Sequence, residues 1–198
     1  MPRPDPARVP TRLAIALYTA LAAAATPAAA QSLDAAAREA VAALREGDMR
    51  KLVIHESPAP VPDTAFVDPD GAETTLAASD GRLRVVNFWA TWCAPCREEM
   101  PALQALQDAL GGEDFEVILI ATGRNAPEGI ARFFEEAGIE RLRTATDPRS
   151  ALAQAMGVPG LPATVILNRE GQEIARMLGE ADWSGESARA IVADLIAR

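Results

Sequence analysis

The chain is poor in several residue types, and each shortage narrows what it can do. It has two cysteines and one histidine in 198 residues, whereas a zinc site commonly takes about four ligands. We therefore expect no metal, and we expect the lone His55 to be solvated. Acidic residues outnumber basic ones, 28 to 19, which argues against nucleic-acid binding because that requires a basic face. Hydrophobic residues still make up 49% of the chain, enough for a sizeable core.

The N-terminal segment has the composition of a targeting signal. Three arginines precede an apolar run over residues 13–25, and residues 28–30 are alanines that offer a cleavage site. This order predicts a secretory signal peptide over residues 1–30. An uncleaved anchor is the alternative, since residues 13–30 approach the ~20 residues that a spanning helix needs. Either way, we expect the domain to lie outside the cytoplasm.

The next segment, residues 31–60, predicts a short helix followed by a linker. Apolar side chains recur on one helical face over residues 31–50, and prolines alternate over residues 57–62, which favours an extended linker. We place one domain over residues 61–198. Asp70 and Gly71 lie between two short strand patterns, and this is a β-hairpin signal.

Beyond the hairpin, strand and helix patterns alternate, which predicts an α/β domain with a mixed central sheet covered by helices on both faces. A near-continuous apolar run over residues 115–121 is typical of a strand buried on both sides. The predicted strands are 84–89, 115–121, 164–167 and 173–178. The first predicted helix begins after residue 93 and ends at about residue 110, and the others cover 130–137, 150–156 and 188–196.

Both cysteines stand where the first of these strands gives way to its helix, as Cys93 and Cys96. A cysteine at a helix N-terminus meets the positive end of the helix dipole, so its thiolate is favoured. The thiolate is the nucleophile in disulfide exchange, and a second cysteine three positions on can resolve the mixed disulfide. The position predicts a redox-active pair.

Other interpretations of the pair are weaker. A structural disulfide over so short a loop would remove little entropy from the unfolded chain, and a zinc site lacks further ligands. A reduced pair packed in the core remains an alternative, although Pro95 between the cysteines favours a tight helix start.

Glu99 lies three residues after Cys96 and therefore on the same side of the helix, whereas Glu98 is turned away. A partly desolvated carboxylate has a raised pKa and could accept the proton of a buried cysteine. The alternative is two solvated glutamates near a helix start, where acidic residues are favoured. The sequence pattern by itself leaves both open.

Residues 87–101, which read NFWATWCAPCREEMP, resemble the thioredoxin-like family in its TlpA, ResA and CcmG branch. Residues 179–183 (GEADW) resemble the TlpA type in particular, and the likeness covers about residues 61–198. The resemblance implies a thioredoxin-like fold with the hairpin as an N-terminal extension. It also implies a bacterial periplasmic location, either soluble or tethered.

The resemblance further implies roles for individual residues. A cis-proline at Pro162 would present the Leu161 backbone to an extended substrate, although only about 5–6% of X–Pro bonds are cis. Glu99 would be a buried glutamate that tunes the cysteine pair. Thioredoxins place a buried Asp where this chain has Asn87, which cannot take a proton. We expect Trp92 either to offer a partner a flat apolar contact or simply to pack.

The function implied is a periplasmic protein disulfide reductase without a cofactor. Cys93 would attack a client disulfide and Cys96 would release the product, with Glu99 handling the proton of Cys96. The implied clients are copper chaperones, oxidase subunits or apocytochrome c, and a membrane donor of the DsbD or CcdA type would renew the dithiol. We expect a monomer. A metal-binding assembly module, a thiol peroxidase and an oxidase of the same fold are the alternatives.

Overall fold

The structure is a computed structural model, and it describes Met1 and residues 33–198. The signal peptide or anchor predicted for residues 1–30 lies, apart from Met1, outside the described residues. Among the helices that the structure describes, none is both long and apolar enough to cross a membrane.

One mixed sheet of eight strands organises the described part of the chain. The strands are β1 (Val53–Ala59), β2 (Phe66–Val67), β3 (Glu73–Thr74), β4 (Leu83–Trp89), β5 (Phe115–Thr122), β6 (Thr144–Asp147), β7 (Ala163–Leu167) and β8 (Glu173–Leu178). Their order across the sheet is β1-β8-β7-β4-β5-β6-β2-β3. All residues of β4 are buried, since β5 pairs with it in parallel and β7 pairs with it antiparallel.

Helices cover both faces of this sheet, as the sequence predicts. Side chains alternate across a strand, so Val85 and Trp89 of β4 face one cluster and Val86 and Phe88 face the other. The described α-helices are α1 (Ala35–Ala43), α2 (Ala94–Leu110), α3 (Pro127–Ala137), α4 (Ala151–Ala155) and α5 (Glu186–Ile196), with 3-10 turns at Gly47–Lys51 and Leu76–Ser79. The first cluster contains buried residues of α1, α2, α3 and α5, and the second contains those of the short helix α4 and of the hairpin.

The predicted hairpins and the order of strands and helices around β4 are confirmed, and between β2 and β8 one strand was not predicted. β2 and β3 pair about a turn in which Gly71 has a φ of +89°, and β7 pairs with β8. The additional strand is β6, four residues with the sequence TATD, which joins β5 to β2. Its polar sequence has no strand pattern of its own, and its place is fixed by its two neighbours.

The linker predicted for residues 57–62 is wrong in its first half. Residues as far as Ala59 belong to β1, which pairs antiparallel with β8 at the edge of the sheet. The register shifts between Ile54 and Ala59, and this irregular stretch contains Pro58. An edge strand tolerates a proline because one side of it needs no N–H donor. The sheet of the domain therefore begins at Val53, before the boundary predicted at residue 61.

His55 is likewise not the solvated side chain that the sequence suggested. Its Nε2 lies 2.8 Å from Oε1 of Glu173 on the neighbouring β8. Arg176 also donates to this buried carboxylate, from Nε and from Nη2, at 2.7 Å each. Burial acts to raise the pKa of Glu173, but the hydrogen bonds from Arg176 and His55 outweigh it and hold the pKa below its usual value.

This cluster gives a testable prediction about stability. Replacing Glu173 with alanine leaves Arg176 without its partner, and we expect a loss of about 2 kcal/mol in the free energy of unfolding at pH 7. Because the pKa of Glu173 is lowered in the folded state, its contribution is present above the unfolded pKa and is lost as pH falls through the folded pKa. Urea unfolding at pH 7 and pH 3 measures this. The exposed Glu170→Ala is the control, and an equal loss in both variants would contradict the prediction.

Candidate active site

The cysteine pair lies at the junction between β4 and α2. Cys93 is the N-cap of α2, and its sulfur accepts a hydrogen bond from the backbone N–H of Cys96 at 3.3 Å. Pro95 lies in the first turn, where its lack of an N–H costs nothing because that N–H would have no helical partner. The predicted position of Cys93 at a helix N-terminus is confirmed, and the first turn favours a thiolate there.

The two cysteines form a disulfide, and they differ in their access to solvent. Their Cα atoms are 5.3 Å apart, within the ordinary range for a disulfide. Cys93 retains 6% of its accessible surface, whereas Cys96 retains none. Of the two cysteines, only Cys93 has any surface in contact with solvent.

The surface beside Cys93 carries an exposed aromatic ring. Trp92 is 67% exposed, and it lines a shallow depression together with Thr91, Ala94, Arg97 and Glu98. A large exposed apolar side chain at a reactive centre is a feature of contact surfaces. The exposure of Trp92 fits the first of its two alternatives, and a role in contacting a partner stays a prediction.

The predicted cis-proline lies at the same end of the sheet. The bond between Leu161 and Pro162 is cis, as the resemblance implied. β7 begins immediately after Pro162, and its first residue, Ala163, pairs with Phe88 near the end of β4. The loop that leads to Cys93 follows β4, so the topology brings Leu161, Pro162 and the cysteine pair to one edge. Leu161 is partly exposed, and Pro162 is buried.

Glu99 is buried beneath this pair, with 3% of its surface accessible, while Glu98 is exposed. The prediction that these two glutamates point in different directions is confirmed. The Nδ2 of Asn87 on β4 donates to Glu99 Oε1 at 2.8 Å, and the backbone N–H of Ala181 donates to Oε2 at 3.1 Å. These donors come from two separate segments, one in the sheet and one after β8.

Burial raises the pKa of Glu99 to about 7. Loss of water disfavours the ionised carboxylate, and the hydrogen bonds from Asn87 and Ala181 offset only part of that effect. A carboxyl group with a pKa near neutrality can both take and return a proton under ordinary conditions. Glu99, one helical turn after Cys96, thus has a pKa suited to exchanging a proton with that cysteine.

Arg97, four residues after Cys93, makes its contacts with helix α3. Its guanidinium lies over the ring of Phe133, 4.7 Å from the centroid, and 3.6 Å from the carboxylate of Glu136. Both partners are on α3, so Arg97 is an exposed cation that joins α2 to α3.

One residue of the site was missed at the sequence level. Asn125, in the loop after β5, accepts hydrogen bonds from the backbone N–H and from the hydroxyl of Thr91 at 2.8 and 3.0 Å. Its own Nδ2 donates to the carbonyl of Thr122 at 3.0 Å. Asn125 therefore fixes the loop that carries Trp92 and Cys93. An asparagine after a strand is common, and no sequence signal indicated its partner 34 residues away.

Comparisons with known proteins agree with this geometry. Residues 56–194 match the family model described as Redoxin. The chain is 34% identical over 116 residues to the thiol:disulfide interchange protein HelX of Rhodobacter capsulatus. The matched segment covers 57% of this chain and 63% of HelX. The chain is 30% identical over 112 residues to the thiol-disulfide oxidoreductase ResA of Geobacillus thermodenitrificans, covering 56% and 63%. The chain thus matches less than two thirds of the length of these two relatives.

A solved structure supports the fold. A thiol:disulfide interchange protein of the thioredoxin family from Chlorobium tepidum aligns with a TM-score of 0.59 and 24% identity, over 72% of this chain and 99% of that one. The predicted thioredoxin-like fold is confirmed, as is the likeness to the branch that contains ResA. The particular likeness to TlpA stays a prediction.

The raised pKa of Glu99 predicts a pH dependence of stability. The folded state holds this proton up to about pH 7, and the unfolded chain releases it near 4.5. The free energy of unfolding is therefore highest below about pH 4.5, and it falls by about 3 kcal/mol as pH rises from there to about 7. Glu99→Gln should flatten this part of the curve, and Glu98→Gln should not. Denaturant unfolding of the oxidised protein between pH 4 and 8 measures it. A slope that survives in Glu99→Gln would contradict the prediction.

Proposed function

This chain belongs to the redoxin family, and we propose that it is a thiol–disulfide oxidoreductase that acts as a reductase of protein disulfides. The observation that carries the proposal is the asymmetry of the cysteine pair, in which Cys93 caps a helix N-terminus and keeps 6% of its surface accessible while Cys96 keeps none. The names of the relatives HelX and ResA describe the same chemistry.

The proposed reaction has two exchange steps, and the electrons balance in each. In the first, the Cys93 thiolate attacks a client disulfide, a mixed disulfide forms, and one client sulfur leaves as a thiolate. In the second, Cys96 loses its proton and attacks the sulfur of Cys93, which releases the second client sulfur. The client gains two electrons, and the pair ends as the disulfide seen here.

Glu99 is the proposed acceptor of the Cys96 proton. It is one helical turn from Cys96, and both side chains are out of contact with water. Water therefore cannot easily take the proton, while a carboxyl group with a pKa of about 7 can. Returning the proton when the pair is reduced again completes the cycle.

Trp92 and Leu161 are the proposed contacts for the client. The exposed ring of Trp92 offers apolar area beside Cys93, and the Leu161 backbone precedes Pro162 at the same edge of the sheet. An extended client segment would lie between these two contacts with its disulfide over Cys93. Backbone pairing of this kind gives affinity with little dependence on sequence.

The proposed setting is the bacterial periplasm, and it rests on the composition of residues 1–30 and on the resemblance to the TlpA, ResA and CcmG branch. Clients there would be disulfide-bearing assembly factors: a copper chaperone, an oxidase subunit or apocytochrome c. In such an oxidising compartment a reductase needs a source of electrons. A membrane donor of the DsbD or CcdA type is proposed for that role.

The two cysteines should behave differently when replaced. Cys93→Ser should reduce disulfide exchange to background, because the accessible nucleophile is gone. Cys96→Ser should form long-lived mixed disulfides, because nothing resolves them. Capture from periplasmic extract followed by non-reducing electrophoresis compares the variants, with Cys93→Ser as the matched control. Equal trapping by both variants would show that the nucleophile is assigned wrongly.

The direction of the reaction gives a second test. A reductase should hold its pair at a potential well below the roughly −120 mV of a dedicated oxidant. Equilibration of the purified protein with glutathione buffers, read by thiol alkylation and mass shift, measures that potential. A value near −120 mV would establish the oxidase alternative and refute the reductase.

A further inference from the structure

The side-chain amide of Asn87 lies buried between two polar groups of the site. Its Nδ2 donates to Glu99 Oε1 at 2.8 Å and to the hydroxyl oxygen of Thr164 on β7 at 3.0 Å. Asn87 and Thr164 are both fully buried, and they face each other in the register of β4 and β7. Both hydrogens of the amide nitrogen are therefore used.

The other end of the same amide has no partner among residues 33–198. Within that part of the chain, Asn87 Oδ1 is buried and accepts no hydrogen bond. A buried acceptor without a donor is unfavourable. The hydrogen bonds that Nδ2 donates must therefore stabilise this orientation of the amide. The main one is the hydrogen bond to Glu99, and that bond is strong only while Glu99 is ionised.

Protonation of Glu99 weakens this hydrogen bond, and with it the preference of the amide for its present orientation. A neutral carboxyl group carries an O–H that must donate, yet Oε1 faces the Nδ2 donor of Asn87 and Oε2 faces the N–H of Ala181. The backbone N–H of Ala181 cannot turn into an acceptor. The amide of Asn87 can do so by a half-turn, which places Oδ1 where Nδ2 now lies.

We propose that Asn87 is a positioning residue whose amide inverts when Glu99 takes the proton of Cys96, with the hydroxyl of Thr164 turning from acceptor to donor. The inference rests on the proposed role of Glu99 in the exchange reaction. In the inverted state Oδ1 accepts from both the Glu99 O–H and the Thr164 O–H, and Nδ2 takes the buried position that Oδ1 leaves. The two bonds that Oδ1 accepts must therefore outweigh the two that Nδ2 gives up. The proton passes from the Cys96 sulfur to Glu99 Oε1, and the Cys96 thiolate then attacks Cys93.

An amide suits this position because it supports both forms of the acid without competing for the proton. The other groups that act on Glu99 do not change partner in this way. Glu180 repels the ionised form and raises the pKa, whereas the Ala181 N–H lowers it. The Trp183 Nε1 makes no hydrogen bond among the described residues. When the pair is reduced, the thiol of Cys96 is a further titratable group one helical turn from Glu99.

Nuclear magnetic resonance can observe the inversion directly in the full chain. The carboxyl ¹³C signal of Glu99 and the side-chain ¹⁵N and ¹H signals of Asn87 are followed from pH 5 to 9, with the pair reduced. We expect both residues to titrate with one midpoint, and we expect the Asn87 NH₂ protons to lose their proximity to Thr164 at low pH. In Glu99→Gln the Asn87 signals should not titrate.

Two variants of Thr164 provide a matched comparison. Thr164→Val keeps the shape of the side chain but removes the hydroxyl that bonds to the Asn87 amide, and Thr164→Ser keeps that hydroxyl. We expect Thr164→Val to move the Glu99 midpoint and to slow resolution of the mixed disulfide severalfold, with Thr164→Ser close to the parent. Equal behaviour of the two variants would assign Thr164 to packing alone and overturn its part in the proposal.

The outcomes separate this inference from the proposed function. If the protein reduces disulfides and Glu99 titrates while the Asn87 NH₂ protons keep their proximity to Thr164, the inversion is refuted and the reductase stands. If Glu99 does not titrate in this range, the inversion is also refuted. If that proximity is lost as Glu99 takes its proton but Cys96→Ser traps no client, the inversion stands and the proposed function fails.

Discussion

The carboxylate of Glu99 is out of water, and the rest of the site is arranged around that constraint. A buried carboxylate costs several kcal/mol unless neighbours hydrogen-bond to it. Here one donor comes from β4 and another from the segment after β8. Helix α2, the central strand and that segment must therefore keep their relative positions for the acid to remain where it is. The same packing buries Cys96 completely and leaves a small part of Cys93 accessible.

Rigidity at this edge comes from the sheet and from two asparagines. β4 is held by β5 and β7 along its length, so the loop after it starts from a fixed point. Asn125 then fixes Thr91 from the next loop, while Asn87 joins β4 to α2 and β7. The reactive sulfur is thus on a loop that is short and tied at both ends. Exchange chemistry needs this, because the attacking and leaving sulfurs must lie in line.

Much of this arrangement follows from local patterns, and what does not follow depends on distant partners. The helix after Cys93 and the different directions of Glu98 and Glu99 could be predicted, because three-residue spacing on a helix determines which side chains share a side. The burial of Glu99 could be expected only from the resemblance. The cis bond before Pro162 could be expected only from the resemblance, since spacing gives no such signal. β6, Asn125 and His55 were missed or misjudged, because each is defined by residues far along the chain: β5 and β2, Thr91, and Glu173.

The irregular pairing of β1 has a consequence for how copies of this protein behave beside one another. An unpaired sheet edge is a template on which a second chain can add a strand. On the β1 side, Pro58 removes one donor and the shifted register spoils the regular spacing of the others. On the opposite side, β3 has two residues, too few to seat a partner strand. Among the described residues, both margins of the sheet are thereby poor templates for strand addition, so neither favours uncontrolled association of copies.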